Sequence, residues 1–209
     1  MKQVLLHCCC APCSSAIIEW MLQNDVRPTI FYCNPNIYPE EEYLIRKNEI
    51  TRYAAELGLT IIDDDYDHEA WLSHIAGLEQ EPERGGRCLE CFKYRLLRTA
   101  QKARELAIDE FTTTLASSRW KRQDQIDAAG HWAAGQVNAS LCSEQSGEIR
   151  FDDRNWRKGG LQERRNELLR INGFYNQQYC GCEFSLRARQ EQEERRRDSA
   201  QLSPANAAS

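Results

Sequence analysis

Short apolar runs alternate along this chain with longer segments in which apolar residues recur every three or four positions. The runs predict buried strands and the periodic segments predict helices. Strands are predicted at residues 4–8, 29–33, 59–62 and 110–115, with a weaker fifth strand at 137–141. Helices are predicted at residues 14–24, 39–57, 68–76, 88–107, 123–134 and 159–171. This alternation is typical of a parallel sheet with helices on both faces.

The pattern predicts one α/β domain with a mostly helical C-terminal portion. A chain of 209 residues is long enough to bury one sizeable core. We expect this domain to span residues 1–185. Residues 186–209 are rich in Gln, Glu and Arg, then in Ser, Pro, Asn and Ala. That composition predicts a fraying helix followed by a disordered tail.

The distribution of apolar residues also bears on location. Mean hydropathy is −0.69, and the apolar runs are too short to cross a bilayer, so we expect no membrane association. The first residues lack the apolar stretch and cleavage site of a signal peptide, which leads us to expect a cytoplasmic protein. Ten cysteines in a reducing compartment favour metal or redox chemistry over structural disulfides.

The net charge of −5 conceals two basic segments. Residues 84–104 carry seven basic residues and one acidic residue, and residues 154–170 carry six basic and two acidic residues. These segments could contact phosphates, or they could be solvated helix faces. The net charge therefore does not exclude a nucleic acid partner.

Cysteines occupy the first strand–helix junction, where nucleotide-binding sheets place a glycine-rich phosphate loop. This junction contains Cys8, Cys9, Cys10 and Cys13, and no glycine. Cys88 and Cys91 form a C-x-x-C pair at the start of another predicted helix. If the fold brings the two junctions together, they could supply four thiolates to Zn²⁺ or to an iron–sulfur cluster. Adjacent cysteines suit a zinc knuckle poorly, so the spacing favours [4Fe–4S].

The remaining cysteines divide into a pair and two single residues. Cys180 and Cys182 form Cys-Gly-Cys, which could be a redox-active dithiol or a further pair of metal ligands. Cys13 could be a reactive thiolate or an additional ligand. Cys33 and Cys142 lie in apolar contexts and are interpreted as small buried hydrophobic residues.

Several ordered motifs resemble the QueH-type epoxyqueuosine reductases. They are HCCCAPCS (7–14), FYCNPNIYP (31–39), YLIRKNE (43–49), EPERGGRCLECF (81–92), FTTTL (111–115) and QYCGC (178–182). The resemblance runs from the first strand to about Ser185. It implies a nucleotide α-hydrolase (Rossmann-like) sheet whose phosphate loop is replaced by cysteines, in agreement with the junction argument.

The resemblance also implies an activity and a site. Such enzymes reduce epoxyqueuosine to queuosine at wobble position 34 of tRNA, the last step of queuosine biosynthesis. By motif position, Cys9, Cys10, Cys88 and Cys91 would hold a [4Fe–4S] cluster. Cys180 and Cys182 would be the catalytic, redox-active pair, forming a disulfide when oxidised. The partners would be a tRNA with a GUN-type anticodon carrying epoxyqueuosine, and an electron donor that the sequence does not identify.

Four basic side chains are candidate substrate contacts: Arg84, Arg87, Arg157 and Lys158. Two functions of other classes compete with the reductase. A zinc-stabilised RNA-binding protein would use the same thiolates structurally. A cytosolic thiol–disulfide oxidoreductase would need no metal.

Overall fold

The computed structural model describes residues 2–118, 120–139 and 147–202, with only the backbone for residues 200–202. Five strands and seven helices are present in these ranges. The strands are β1 (Lys2–His7), β2 (Val26–Tyr32), β3 (Ile61–Asp63), β4 (Glu110–Thr113) and β5 (Arg150–Phe151). The helices are α1 (Ala11–Gln23), α2 (Glu40–Glu56), α3 (His68–His74), α4 (Gly86–Glu105), α5 (Gln123–Ala139), α6 (Leu161–Ile171) and α7 (Glu183–Leu202). A 3₁₀ turn, Thr114–Ser117, follows β4.

The five strands form one parallel sheet in the order β3-β2-β1-β4-β5. Leu5 of β1 lies opposite Thr29 of β2 on one side and Phe111 of β4 on the other. Because β1 is covered on both faces, Val4, Leu5 and Leu6 are all buried. The order of the strands reverses between β1 and β4, so the carboxyl ends of these strands mark the switch point where such sheets bind ligands. The predicted Rossmann-like α/β class is confirmed.

Two sets of helices cover the sheet. Helix α1 packs against α6 and α2, whereas α4 packs against α5 and α3. Within the described part of the chain, no helix combines the length and the apolar character needed to span a membrane.

The predicted fifth strand at residues 137–141 is wrong. Residues 137–139 are the last turn of α5, and residues 140–141 lie outside the described ranges. Val137 is buried on the same face of α5 as Ala133 and Ala134, so its helical spacing outweighs its β-branched side chain. The fifth strand is instead Arg150–Phe151, where the Phe151 ring packs against that of Phe111 with centroids 5.2 Å apart.

Helix α1 also begins three residues earlier than predicted, at Ala11. Proline is tolerated in the first turn because its missing N–H has no helical partner there, so Pro12 does not delay the helix. The early start places Cys13 within the first turn. Helix α7 is continuous from Glu183 to Leu202, and the domain boundary at residue 185 stays a prediction.

Candidate metal centre and thiol loop

The first group of thiols lies at the switch point of the sheet. β1 ends at His7, and the chain then turns through three cysteines into α1. The Sγ atoms of Cys9, Cys10 and Cys13 all lie within 4.8 Å of one another. All three side chains are buried. We call Cys9, Cys10 and Cys13 the N-terminal thiol group.

Local hydrogen bonds hold this group in place. The Ser14 hydroxyl donates to the carbonyl of Cys10 at 2.7 Å, and the Ser117 hydroxyl donates to the carbonyl of Cys13 at 2.9 Å. Cys10 occupies the N-cap position of α1, so the thiols face the positive end of the helix dipole. A glycine-rich loop would present N–H groups to phosphate here, whereas this junction presents sulfur.

The three thiols do not share one protonation behaviour. Hydrogen bonds from Cys10 and Cys13 hold the pKa of Cys9 well below its usual value, because they stabilise its thiolate. Burial raises the pKa of Cys10 well above the usual value. The arrangement therefore favours a Cys9 thiolate that accepts hydrogen bonds from the Cys10 and Cys13 thiols. Metal binding would displace the protons of those two thiols.

The donor set of the N-terminal thiol group fits a metal. Three thiols with Sγ atoms this close could bind one ion or one edge of a cluster, and sulfur donors select zinc or iron–sulfur centres. The predicted ligands Cys88 and Cys91 are not members of this group, and Cys13 is. The assignment of Cys9, Cys10, Cys88 and Cys91 to one cluster stays a prediction.

Cys88 and Cys91 lie in the first two turns of α4. Gly85 fits closely in the turn before this helix, since a Cβ there would lie 3.0 Å from the carbonyl oxygen of Pro82 and would displace the Glu81 carboxylate. That carboxylate accepts a hydrogen bond from the N–H of Gly86 at 3.0 Å. The N–H of Arg84 points at Cys88 Sγ from 3.2 Å. The backbone N–H of Arg84 therefore donates to the Cys88 sulfur, a contact that stabilises its thiolate form.

Cys180 and Cys182 lie between α6 and α7, in a segment we call the thiol loop (residues 179–182). Both are free thiols, only partly buried. Burial, reinforced by the charge of Cys180, raises the pKa of Cys182 to about 11. Burial raises the pKa of Cys88 to about 12, and the charges of Cys180, Cys91 and Cys182 add to this shift. The thiol loop therefore lies beside the C-x-x-C pair, and the four thiols influence one another.

A buried arginine holds the thiol loop. Arg46 is 1% exposed and is paired with Glu42 one turn earlier, at 2.7 Å. Its guanidinium donates to the carbonyl of Cys180 at 3.3 Å and lies 5.5 Å from the ring centroid of Tyr179. Tyr175 completes the arrangement by donating its hydroxyl to Glu42 Oε2 at 2.7 Å. The Arg46–Glu42 ion pair of α2 thus contacts the thiol loop through Arg46 and the segment before the loop through Glu42.

Gly181 is required by this packing. Its φ of +135° lies in a region that residues with a side chain rarely adopt. A Cβ at this position would lie 3.1 Å from Nη1 of Arg46 and 3.3 Å from Ile37. Its carbonyl accepts a hydrogen bond from the N–H of Tyr38 at 2.9 Å. The backbone of the thiol loop is therefore fixed although its sulfurs are partly exposed.

Three buried cations lie among the thiols: Arg46, Arg95 and Lys121. Burial alone would lower the pKa of Lys121, but the charges of Cys180, Cys9 and Cys13 raise it. Lys121 therefore lies between the thiol loop and the N-terminal thiol group. The interactions of Arg46 with Cys10 and with the Glu42 carboxylate similarly raise the pKa of Arg46 against the effect of burial. Positive charge at these positions favours thiolates over thiols.

Comparison with known proteins identifies the family. The family model described as epoxyqueuosine reductase QueH matches residues 4–188. Epoxyqueuosine reductases QueH from Histophilus somni and Haemophilus influenzae are 44% and 43% identical to this chain over 89% of its length, which corresponds to 73% and 72% of theirs. The chain belongs to the QueH family. A third relative, from Acinetobacter baylyi, is 42% identical over 88% of this chain and 81% of its own.

Family membership confirms the resemblance drawn from the sequence motifs. It also confirms that this QueH-family chain is an oxidoreductase, because every one of these relatives is named a reductase. The sequence pattern does not indicate that the three buried cations belong to the site. Arg95 falls within a basic segment, and Arg46 follows Glu42 by four residues. Both patterns fit a solvated helix face equally well.

Three other residues near the site have structural roles. His7 bridges the strand ends, with its ring nitrogens 2.7 Å from the Thr113 hydroxyl and 3.0 Å from the Cys33 carbonyl. Burial lowers the pKa of His7 to about 3, so the ring is neutral. Cys8 and Cys33 are buried outside the N-terminal thiol group. This matches the interpretation of Cys33 as a small buried residue, whereas Cys142 lies outside the described residues.

The four candidate substrate contacts lie in different environments. Arg87 is buried, donates to the carbonyls of Glu79 and Glu81, and lies 4.4 Å from the ring centroid of Phe184. Arg157 donates to the carbonyls of Ser118 and Lys121.

Burial and the charge of Arg84 both lower the pKa of Arg157, so these two residues are neighbours. Lys158 is exposed, in an open cavity lined by Trp20 and Trp156. As tRNA contacts, all four stay a prediction.

Proposed function

We propose that this QueH-family protein reduces epoxyqueuosine to queuosine at wobble position 34 of tRNA, the last step of queuosine biosynthesis. The supporting observation is a buried group of three thiols at the switch point of the sheet, in a chain that belongs to an epoxyqueuosine reductase family. The alternatives, a zinc-stabilised RNA-binding protein and a general thiol–disulfide oxidoreductase, do not account for that membership.

The cofactor we propose is a [4Fe–4S] cluster. Cys9 and Cys10 of the N-terminal thiol group and the C-x-x-C cysteines Cys88 and Cys91 would hold it, one thiolate to each iron, and Cys13 would be a spare thiolate. A bound cluster would supply single electrons and, where one thiolate is displaced, a Lewis-acidic iron. The buried cations Arg95 and Lys121 would offset part of the negative charge of the thiolate ligands.

The reaction requires two electrons and two protons, which convert the epoxide to an alkene and release its oxygen as water. The thiols of Cys180 and Cys182 can supply both, since their oxidation to a disulfide gives up two electrons and two protons. An electron donor not yet identified would reduce this disulfide after each cycle. The partial exposure of both thiols supports this role, because an external reductant must reach them.

The tRNA we propose has a GUN-type anticodon, and the protein acts in the cytoplasm. In a single-stranded loop the wobble base can leave its stack and enter a protein pocket. Arg84 and Arg157 are neighbours at one edge of the site and would contact phosphates there. Arg87 would contribute indirectly, by fixing the turn that precedes Cys88.

Anaerobic purification followed by iron, sulfide and zinc analysis tests the cofactor. Roughly four irons and four sulfides per chain are expected for a [4Fe–4S] protein. Stoichiometric zinc with no iron would contradict the proposal and favour the RNA-binding alternative.

The double variant C180S/C182S tests the electron path. It should retain the cluster, because neither sulfur is proposed as a ligand, yet fail to turn over repeatedly on tRNA carrying epoxyqueuosine. Repeated turnover by this variant with an intact cluster would exclude the dithiol role.

A further inference from the structure

A polar cavity opens directly onto the N-terminal thiol group. Its volume is about 350 Å³, within the range of about 300–1,000 Å³ found for small-molecule sites. Cys13 lies at one wall, and Ser117 and Ser118 line the adjoining wall. The remaining walls come from Trp120, from α6 and from the segment that leads into the thiol loop. The cavity therefore connects solvent to Cys13 of the N-terminal thiol group.

Carboxamides dominate the lining of this cavity. Five of them contribute to it: Gln162, Asn166, Asn176, Gln177 and Gln178. Among the described lining residues there is one charged side chain, Arg165, and no carboxylate. Carboxamides and hydroxyls donate and accept hydrogen bonds equally well, so they match a neutral ligand with several hydroxyl groups. A phosphate site would need more cations.

Gln177 links the cavity to the metal centre. Its Nε2 donates to the sulfurs of Cys10 and Cys13 at 3.1 and 3.4 Å. Its Oε1 is buried and has no hydrogen-bond partner within the described part of the chain. If the amide were turned over, the other end of the same group would lack a partner. A buried polar atom without a partner is unfavourable, so a bound ligand that pairs with it is favoured.

We propose that this cavity binds the hydroxylated cyclopentane ring of the substrate, with its carboxamides pairing with the two ring hydroxyls and Gln177 placing the epoxide beside the N-terminal thiol group. This inference rests on the proposed function, which supplies the diol epoxide as ligand. Gln177 is a positioning residue in this arrangement. Asn166 and Gln162, on successive turns of α6, provide selectivity for the hydroxylated ring.

The test compares two anticodon stem-loop RNAs that differ only at position 34, one carrying epoxyqueuosine and the other guanosine. Binding to the anaerobically purified holoprotein is measured by fluorescence anisotropy, a readout independent of turnover. Wild type should prefer the epoxyqueuosine RNA. The double variant Q162L/N166L should lose at least about tenfold of that preference, since two hydrogen bonds to a buried ligand are removed. Binding of the guanosine RNA should not change.

One variant serves as the control. Gln136→Leu removes a carboxamide from a different open cavity, between α4 and α5, and should leave the preference unchanged. Iron content and thermal midpoint equal to wild type establish that Q162L/N166L is folded and loaded.

An unchanged preference in folded, loaded Q162L/N166L would overturn the cavity assignment. Equal weakening of both RNAs by Arg165→Gln, together with unaffected Q162L/N166L, would identify a phosphate site and would overturn it as well. Failure of the proposed function gives a different result, since the holoprotein would then not reduce the epoxyqueuosine RNA whatever its binding preference.

Q177L should raise KM and lower kcat while iron content is preserved.

Discussion

The N-terminal thiol group and the thiol loop use the same side chain in two environments. Cys9, Cys10 and Cys13 are buried at the end of a central strand, where hydrogen bonds fix their backbone. Cys180 and Cys182 are only partly buried, and the loop that carries them is held from outside by Arg46. The first group has a low-pKa member, Cys9, whereas the pKa of Cys182 is raised to about 11.

This difference separates binding from electron exchange. A metal centre benefits from converging, desolvated thiolates that need not move. A dithiol that is oxidised and reduced in each cycle must reach both the centre and an external reductant, so partial exposure is useful. The buried cations between the two regions would support both, because they stabilise thiolates on either side.

The largest effect is expected from removal of a thiol in the N-terminal thiol group. Cys9→Ser should lose most of the bound iron and all detectable turnover, since Cys9 is the thiolate that its two neighbours stabilise. Cys33→Ala is the matched control. That thiol is equally buried at the end of the adjacent strand but lies outside the group, and the variant should retain iron. If C9S bound as much iron as wild type, the N-terminal thiol group would not be the metal centre, and the proposed difference between the two regions would be wrong.

The next effect concerns the support of the thiol loop. Arg46→Met should reduce repeated turnover about 10–100-fold, a common cost of losing a residue that orients reactive groups. Iron content should fall much less than turnover, because the hydrogen bonds of Arg46 go to Glu42 and the thiol loop and not to a proposed cluster ligand. Arg46→Lys keeps the charge and should recover part of the activity. Loss of iron in Arg46→Met would show that the two regions are one structural unit.

Backbone strain provides a smaller test of the same loop. Gly181→Ala should lower the free energy of unfolding by about 1–3 kcal/mol, because alanine tolerates φ near +135° poorly. Gly135→Ala in α5 is the control, since nothing lies within 4 Å of its added Cβ. Replacing glycine in a helix should stabilise by up to about 1 kcal/mol. Both changes are measured by chemical denaturation.

The smallest effect is a change in reactivity with pH. In reduced, metal-free protein, alkylation of Cys182 should accelerate about tenfold per pH unit from pH 7 to pH 10, since only the thiolate reacts and its pKa is about 11. Peptide mass spectrometry distinguishes Cys182 from the other thiols. C180S should shift this profile to lower pH, because the neighbouring charge is then absent. A plateau near pH 8.5 in wild type would contradict the raised pKa.

The sequence predicted the sheet and its switch point well. Buried strands such as β1 are recognisable because they are apolar on both faces, and cysteines directly after such a strand must lie at its carboxyl end. The fifth strand was missed because β5 has two residues, too few to give a pattern. The cations Arg46 and Arg95 and the amide of Gln177 were missed for another reason, since polar residues on helices and loops read as solvent-facing.

The sequence by itself determined the fold class, the cysteine motifs and, through them, the family. Local patterns suffice for these because they depend on residues near one another in the chain. Only the tertiary structure decided that Cys13 joins Cys9 and Cys10, that Arg46 holds a loop more than 130 residues away, and that a carboxamide cavity opens onto the thiols. These features arise where β1, α2, α6 and the thiol loop meet, and contacts between distant segments leave no periodic signal in the sequence.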